Sequence, residues 1–265
     1  MAHTELAGRS PREIRQIIRE GEWRRPTAGL APGYVQTNLV ILPRDLAFDF
    51  LLFCQRNPRP CPLLEVTEPG DPEPRGVVAG ADLRVDLPRY RVYRDGVLAE
   101  ERTDIRDLWQ PDLVAFLLGC SFTFEAALID AGIPLRHIDR GCNVSMYITS
   151  IECRPAGAFY GPMVVSMRAI RAAQVVRAVQ VTSRFPGAHG APVHVGDPRQ
   201  IGIADLNRPD FGDLTAFEPG EAPVFWACGV TPQAVAMRAK PPFMITHAPG
   251  HMFLTDMRDS DLAVL

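Results

Sequence analysis

Two histidines near the C-terminal end, His247 and His251 in THAPGHMFLTD, stand four residues apart. On a helix that spacing would present two imidazoles to one metal ion. Pro249 and Gly250 lie between them, however, and Pro-Gly inside a helix removes a hydrogen bond and adds backbone entropy. The pair is therefore expected in a loop, where imidazoles move protons near neutral pH. A metal would need further ligands, such as Asp256, Cys228 or His194, at spacings that are not diagnostic, so no metal is assigned.

Three further stretches carry chemistry. In GCSFTFE, Cys120 and Ser121 precede a helix whose first turn offers free N–H groups to an anion. No G-x-S-x-G elbow accompanies them, so capping and ligand contact are expected rather than covalent catalysis. In SRFPGAHGAPVH, the Arg184 fork suits a carboxylate, and His189 sits among glycines that let a ligand approach the backbone. RHIDRGCNVSMY adds Arg140, Asn143 and Tyr147 as polar contacts. With no G-x-G-x-x-G and no P-loop, a nucleotide cofactor has no support. A Schiff base would rest on Lys240, the single lysine.

The elements that must position these groups are partly legible. Ser10, Pro11 and Glu13 spell a capping box and Gly21 a stop, which predicts a first helix. GYVQTNLVILP reads as extended, and a second helix runs from Pro43 to Pro58. A helix is expected after Pro111, and another from Ser121 or Thr123 to Gly132. NVSMYITSIEC alternates as a strand, PMVVSM pairs with it, and AIRAAQVVRAVQ follows as a helix. Val224 to Ala227, the helix from Thr231, and Phe243 to Thr246 then read as a βαβ unit with parallel strands. Ligands bind beyond the carboxyl ends of such strands, where Gly229 and Thr231 follow one strand and His247 to His251 the other.

A net charge of −3 and a pI near 6.1 argue against nucleic acid and anionic membranes as partners. No window approaches the roughly 20 apolar residues of a membrane helix, and the N-terminal stretch has no signal-type apolar core, so a cytoplasmic protein is expected. Six dispersed cysteines without a C-x-x-C pair are expected as reduced thiols. A homo-oligomer stays open.

Together GLAPGYVQTNLVILP, FDFLLFCQRNPRPCPLLEV, FLLGCSFTFEAAL, NVSMYITSIECRPAGAFYGPMVVSMR, TSRFPGAHGAPVHVGDP, WACGVTPQ and THAPGHMFLTD resemble the hydro-lyase family associated with D-glutamate cyclase. The resemblance runs from about Pro11 to Asp256. It implies cyclisation of D-glutamate to 5-oxo-D-proline with loss of water, without a cofactor. It also implies an α/β fold, with a mixed, partly parallel sheet in a three-layer sandwich and a smaller two-layer α+β unit. With the pattern break near Asn143, residues 1–135 and 220–265 are expected as the main domain and 136–219 as an insertion. For that reaction, Arg184 and the N–H groups at Ser121 or Thr231 would hold carboxylates, and His247, His251 or His189 would move protons. The alternatives are a small-carboxylate-binding protein without turnover, or a related hydro-lyase or lactam-opening enzyme.

Overall fold

The first helix begins where its capping box predicts. Ser10 Oγ accepts the Glu13 N–H, the Glu13 carboxylate accepts the Ser10 N–H, and α1 (Pro11–Arg19) follows. Such a cap contributes about 1 kcal/mol. Ile14 and Ile18 then bury against Trp23, Leu30 and Leu254. The architecture described here is that of a computed structural model, which describes residues 4–6 and 8–264.

Among these residues eleven strands form two sheets. The larger holds β1 (Tyr34–Pro43), β2 (Leu63–Val66), β3 (Tyr90–Arg94), β4 (Val97–Arg102), β5 (Leu113–Gly119), β10 (Phe243–His247) and β11 (Phe253–Arg258). The smaller holds β6 (Ser145–Glu152), β7 (Pro162–Arg171), β8 (His194–Val195) and β9 (Glu221–Ala227). The helices after α1 are α2 (Arg44–Arg56), α3 (Glu125–Asp130), α4 (Arg136–Arg140), α5 (Val175–Ser183) and α6 (Thr231–Ala239). None is long and apolar enough to cross a membrane.

Strand β1 organises the larger sheet. It pairs with β5 along its length, from Thr37 opposite Gly119 to Pro43 opposite Leu113. Its other edge is shared: Val40 faces Thr246 of β10, while Thr37 faces Phe253 of β11. The loop holding His251 leaves the sheet between those two partners. On one face of this sheet α2 sets Phe50 edge-on to Phe116 at 4.9 Å and to Phe159 at 5.2 Å.

Two expectations are corrected. The segment after Pro111 is strand β5, not a helix, because its seven consecutive buried residues have neighbours on both faces. An apolar run that short cannot be told from a helix by period alone. The C-terminal elements form at the expected residues, but β9 and β10 belong to different sheets and are not parallel neighbours. Strand β9 pairs antiparallel with β7 over seven positions, and β10 pairs antiparallel with β1 and β3. Every named strand pairing is antiparallel, so the fold is α/β without the expected partly parallel sheet. The reason lies in α6, whose residues from Thr231 through Ala236 are all buried. A crossover helix on the outside of one sheet would keep a wet face. This helix instead spans from one sheet to the other.

Candidate active site

Buried polar atoms almost always find partners, so those that do not mark a place to look. Six such side-chain atoms stand unpartnered among the described residues, on Gln36, Thr37, Glu125, Gln174, His247 and Asp259. Two of them, Gln36 and Thr37, are consecutive residues of β1 and point to opposite faces of the strand. Gln36 shares one cavity with Glu125 and Asp259, and the His247 ring lies on the backbone of Leu39. Each unpaired group costs about 1–3 kcal/mol.

His247 ends β10 and is fully buried, with Nδ1 3.2 Å from the Leu39 N–H and 3.3 Å from the Leu39 carbonyl. An orphaned buried N–H is rarer than an under-satisfied C=O. Nδ1 therefore accepts from Leu39, and the ring proton sits on Nε2, which has no partner. Burial pushes the His247 pKa down to about 3. This histidine is a neutral N–H donor at physiological pH and not an imidazolium. His251 is held differently: its Nδ1 meets the Pro249 carbonyl at 3.0 Å, and the Arg24 backbone also bonds the ring. Burial lowers its pKa as well.

Across the seam, β7 turns Arg168 inward with 2% of its surface exposed. Its guanidinium donates to Glu125 Oε1, to Ser166 Oγ at 3.1 Å and to Ser121 Oγ at 3.0 Å. It is sandwiched by Phe124 and Trp226, whose centroids lie 5.3 and 5.4 Å away. His137 Nε2 shares Glu125 Oε1 at 2.9 Å. Burial drives the Glu125 pKa up, but the charges of His137 and Arg168 outweigh it and hold the carboxylate below its usual range. Because Ser121 Oγ accepts from Arg168, its own proton is free to donate.

The expected site residues divide into three groups. Cys120, Ser121, Gly229, Thr231 and Asn143 meet at the seam with the His247–His251 loop. A Cβ on Gly229 would lie 2.0 Å from Asn38 Nδ2, and the Asn38 amide in turn donates to the Gly119 carbonyl at 2.7 Å. Thr231 Oγ1 donates to the Cys228 carbonyl at 2.7 Å, and Gln233 one turn on donates to the His247 carbonyl at 2.9 Å. Helix α6 thus joins the two strand ends without a βαβ unit. Asn143 Nδ2 donates to the Pro249 carbonyl at 3.0 Å and pins the histidine loop. Burial raises the Cys120 thiol and takes Cys228 to about 11, so both stay protonated.

His189 stands at the edge of this region. Its Nδ1 meets the Arg59 carbonyl at 2.6 Å, its φ is +77°, and burial takes its pKa down to about 4. Arg184, Arg140 and Tyr147 lie elsewhere. Arg184 is exposed and bonds the Val264 carbonyl. Arg140 is exposed at the end of α4. Tyr147 points to the far face of the smaller sheet, where its hydroxyl donates to the Leu206 carbonyl at 2.7 Å.

Gln36, Thr37, Asn38, Glu125, His137 and Arg168 escaped the sequence reading. A signal existed for Arg168, since PMVVSMR alternates and puts Arg168 on one strand face with Val164 and Ser166. Among the described residues, no group of three or more His, Cys, Asp or Glu is placed to hold a metal.

The sequence has many relatives. A "putative hydro-lyase" of Geobacillus kaustophilus is 68% identical over 262 residues, covering 99% of this chain and all of that protein. Another from Thermoanaerobacter is 66% identical, covering 96% of each chain. The protein named putative hydro-lyase YcsI of Bacillus subtilis is 61% identical, covering 97% of this chain and all of its own. Among solved structures, a nitrogen repressor-like protein of Methanococcus jannaschii covers 96% of this chain and 97% of its own at 11% identity. Its TM-score of 0.41 is too low to carry an argument. The family model described as D-glutamate cyclase matches residues 114–256, which include β5, the Arg168 network and the histidine loop. This chain therefore belongs to the D-glutamate cyclase family of hydro-lyases.

Proposed function

We propose that this protein cyclises D-glutamate to 5-oxo-D-proline at the seam around residues 36–39. In that reaction the amine nitrogen bonds to the γ-carboxyl carbon and one carboxyl oxygen departs. The two protons that the ammonium gives up leave with that oxygen as water. A γ-carboxylate is a poor electrophile until its oxygens are strongly hydrogen-bonded. The Ser121 hydroxyl, backed by Arg168, and the His247 Nε2–H supply two donors. A single donor at a developing oxyanion contributes about 10²- to 10³-fold in rate. Glu125 and His251 take the two ammonium protons and return them to the departing oxygen. A positioned acid or base contributes about 10²- to 10⁴-fold. Cys120 contacts the ligand without attacking it, since its thiol is held protonated.

The observation that carries this reading is a buried arginine, Arg168, that holds the buried Glu125 carboxylate and reaches the Ser121 hydroxyl. The test is incubation of purified, chelator-treated protein with D-glutamate and, separately, L-glutamate. 5-Oxoproline is followed by chiral chromatography and mass spectrometry. Product from the D isomer alone is expected. Absence of product from both, with or without added divalent metal, would remove the reading.

A further inference from the structure

A cavity of about 260 Å³ lies between α1, the turn at Ala79 and Gly80, and Asp256 of β11. On the helix side it is lined by Arg12, Arg15 and Arg19. Their spacing of three and then four residues puts all three on one face of the helix. The opposite wall is small, because Ala79 and Gly80 carry almost no side chain, and a Cβ added at Gly80 would meet nothing within 4 Å.

Two of the arginines are anchored. Arg15 is 5% exposed, and its Nη1 and Nη2 donate to the two Asp256 oxygens at 3.0 and 3.1 Å. Its Nη1 also donates to the Leu254 carbonyl at 2.9 Å. Arg19 donates through Nε and Nη2 to both oxygens of the fully buried Asp86, each at 2.8 Å. These pairs are neutral overall and hold both guanidinium groups in place. A guanidinium carries five N–H groups, so donors are left over: the Nε–H of Arg15 and the two Nη1–H groups of Arg19. Two further carboxylates on this side are engaged, Asp82 by Arg84 and Glu20 by the Gln16 amide. Arg12 differs from its neighbours. It is exposed and has no hydrogen-bond or ion-pair partner among the described residues, so its charge is uncompensated.

The cavity therefore offers one free positive charge and two pre-set guanidinium groups with N–H donors to spare. A planar carboxylate is filled by a single guanidinium fork, as Asp256 and Asp86 are here. An anion that meets three guanidinium groups at once needs oxygens pointing in several directions, which a tetrahedral phosphoryl group supplies. The volume equals about nine waters at ~30 Å³ each, which is room for such a group with part of its hydration shell. We infer that this cavity is a binding site for a phosphoryl oxyanion, held by the charge of Arg12 and by the spare donors of Arg15 and Arg19. The site is separate from the Arg168 network, and it stands whether or not the chain cyclises D-glutamate.

The test is calorimetry at constant ionic strength, since screening alone changes the attraction of exposed charges. The probes are inorganic phosphate, methyl phosphate and malonate, the last a dianion of two planar carboxylates. Phosphate should saturate one site on the native protein, and Arg12→Gln should weaken it at least tenfold. Ala79→Phe, which fills the cavity from the opposite wall and changes no charge, should weaken it as much. Arg177→Gln removes another exposed arginine, on α5, and should change binding by less than twofold. Residues 12 and 79 are both exposed, and thermal melting checks that each variant folds. Methyl phosphate that binds at least as tightly as phosphate would support the site with a phosphorylated metabolite as its ligand. Phosphate that binds while methyl phosphate is excluded would support it with the free ion. Phosphate that does not saturate, equal weakening by Arg177→Gln, unchanged binding in Ala79→Phe, or malonate as tight as phosphate would each overturn the inference.

Discussion

Replacing Arg168 by methionine keeps most of the volume and removes the charge that Glu125 faces. Arg168 and Glu125 are 2% exposed each, so the carboxylate would be left with His137 as its one charged partner, buried away from water. Breaking a buried pair in this way costs about 3–5 kcal/mol. At roughly 2–4 °C per kcal/mol for a chain of this size, the melting temperature should drop by about 6–20 °C. Glu125→Gln alone should cost less, because the amide oxygen can still accept from His137 and Arg168, and Ser121 and Ser166 still accept from Arg168. The double variant should recover about 2 kcal/mol relative to the sum of the single changes, as expected for groups in contact. Urea unfolding of the four proteins gives this coupling directly, and turnover of D-glutamate is measured on the same preparations. Arg168→Met should lose at least 100-fold in turnover at a temperature where it is fully folded. Additive energies, or a melting temperature within 2 °C of native, would refute the buried-pair argument. A folded, fully active Arg168→Met would refute the role of Arg168 behind Ser121.

The tautomer of His247 can be tested by choosing which nitrogen to imitate. His247→Asn retains an acceptor for the Leu39 N–H, so stability should fall by only about 1–2 kcal/mol while turnover drops about 10²- to 10³-fold. His247→Gln, which places its amide near Nε2, should keep more activity at a greater cost in stability. The buried histidines also predict an acid-side loss of stability. Burial depresses the folded pKa values of His247 to about 3 and of His189 to about 4 from 6.5. Their contribution is therefore complete above pH 6.5 and is lost as pH falls toward 4. Each histidine adds a slope of up to about 1.4 kcal/mol per pH unit in that window. Urea midpoints at pH 7, 6 and 5 should show the slope, and His189→Asn should reduce it by one proton. Gly229→Ala should cost about 1–3 kcal/mol and depress turnover, since its Cβ would lie 2.0 Å from Asn38 Nδ2. Calorimetry showing native stability for that variant would mean that Asn38 moves freely.

What could be read in advance follows the range of each interaction. The capping box of α1, the strand β1 and the β6–β7 pair were legible because their determinants lie within a few residues of each other. The family was legible from its long ordered segments, and the match over residues 114–256 agrees with it. Strand β5 was misread because seven apolar residues have no period, and only neighbours on both faces decide their conformation.

The site shows the same division. Sequence alone offered GCSFTFE, WACGVTPQ and THAPGH as candidate site segments, because glycine, cysteine and histidine chemistry is intrinsic to each residue. It named Arg184 and passed over Arg168, since nothing local distinguishes an arginine in a loop from one on a strand. Tertiary structure buries Arg168 and leaves Arg184 exposed. A guanidinium can be buried only where a carboxylate, hydroxyls and aromatic faces from distant segments converge, and Glu125, Ser121, Ser166, Phe124 and Trp226 converge on Arg168. The same holds for Gln36, Glu125 and Asp259, which are far apart in the chain and acquire a shared cavity only when β1, α3 and the C-terminal turn pack together.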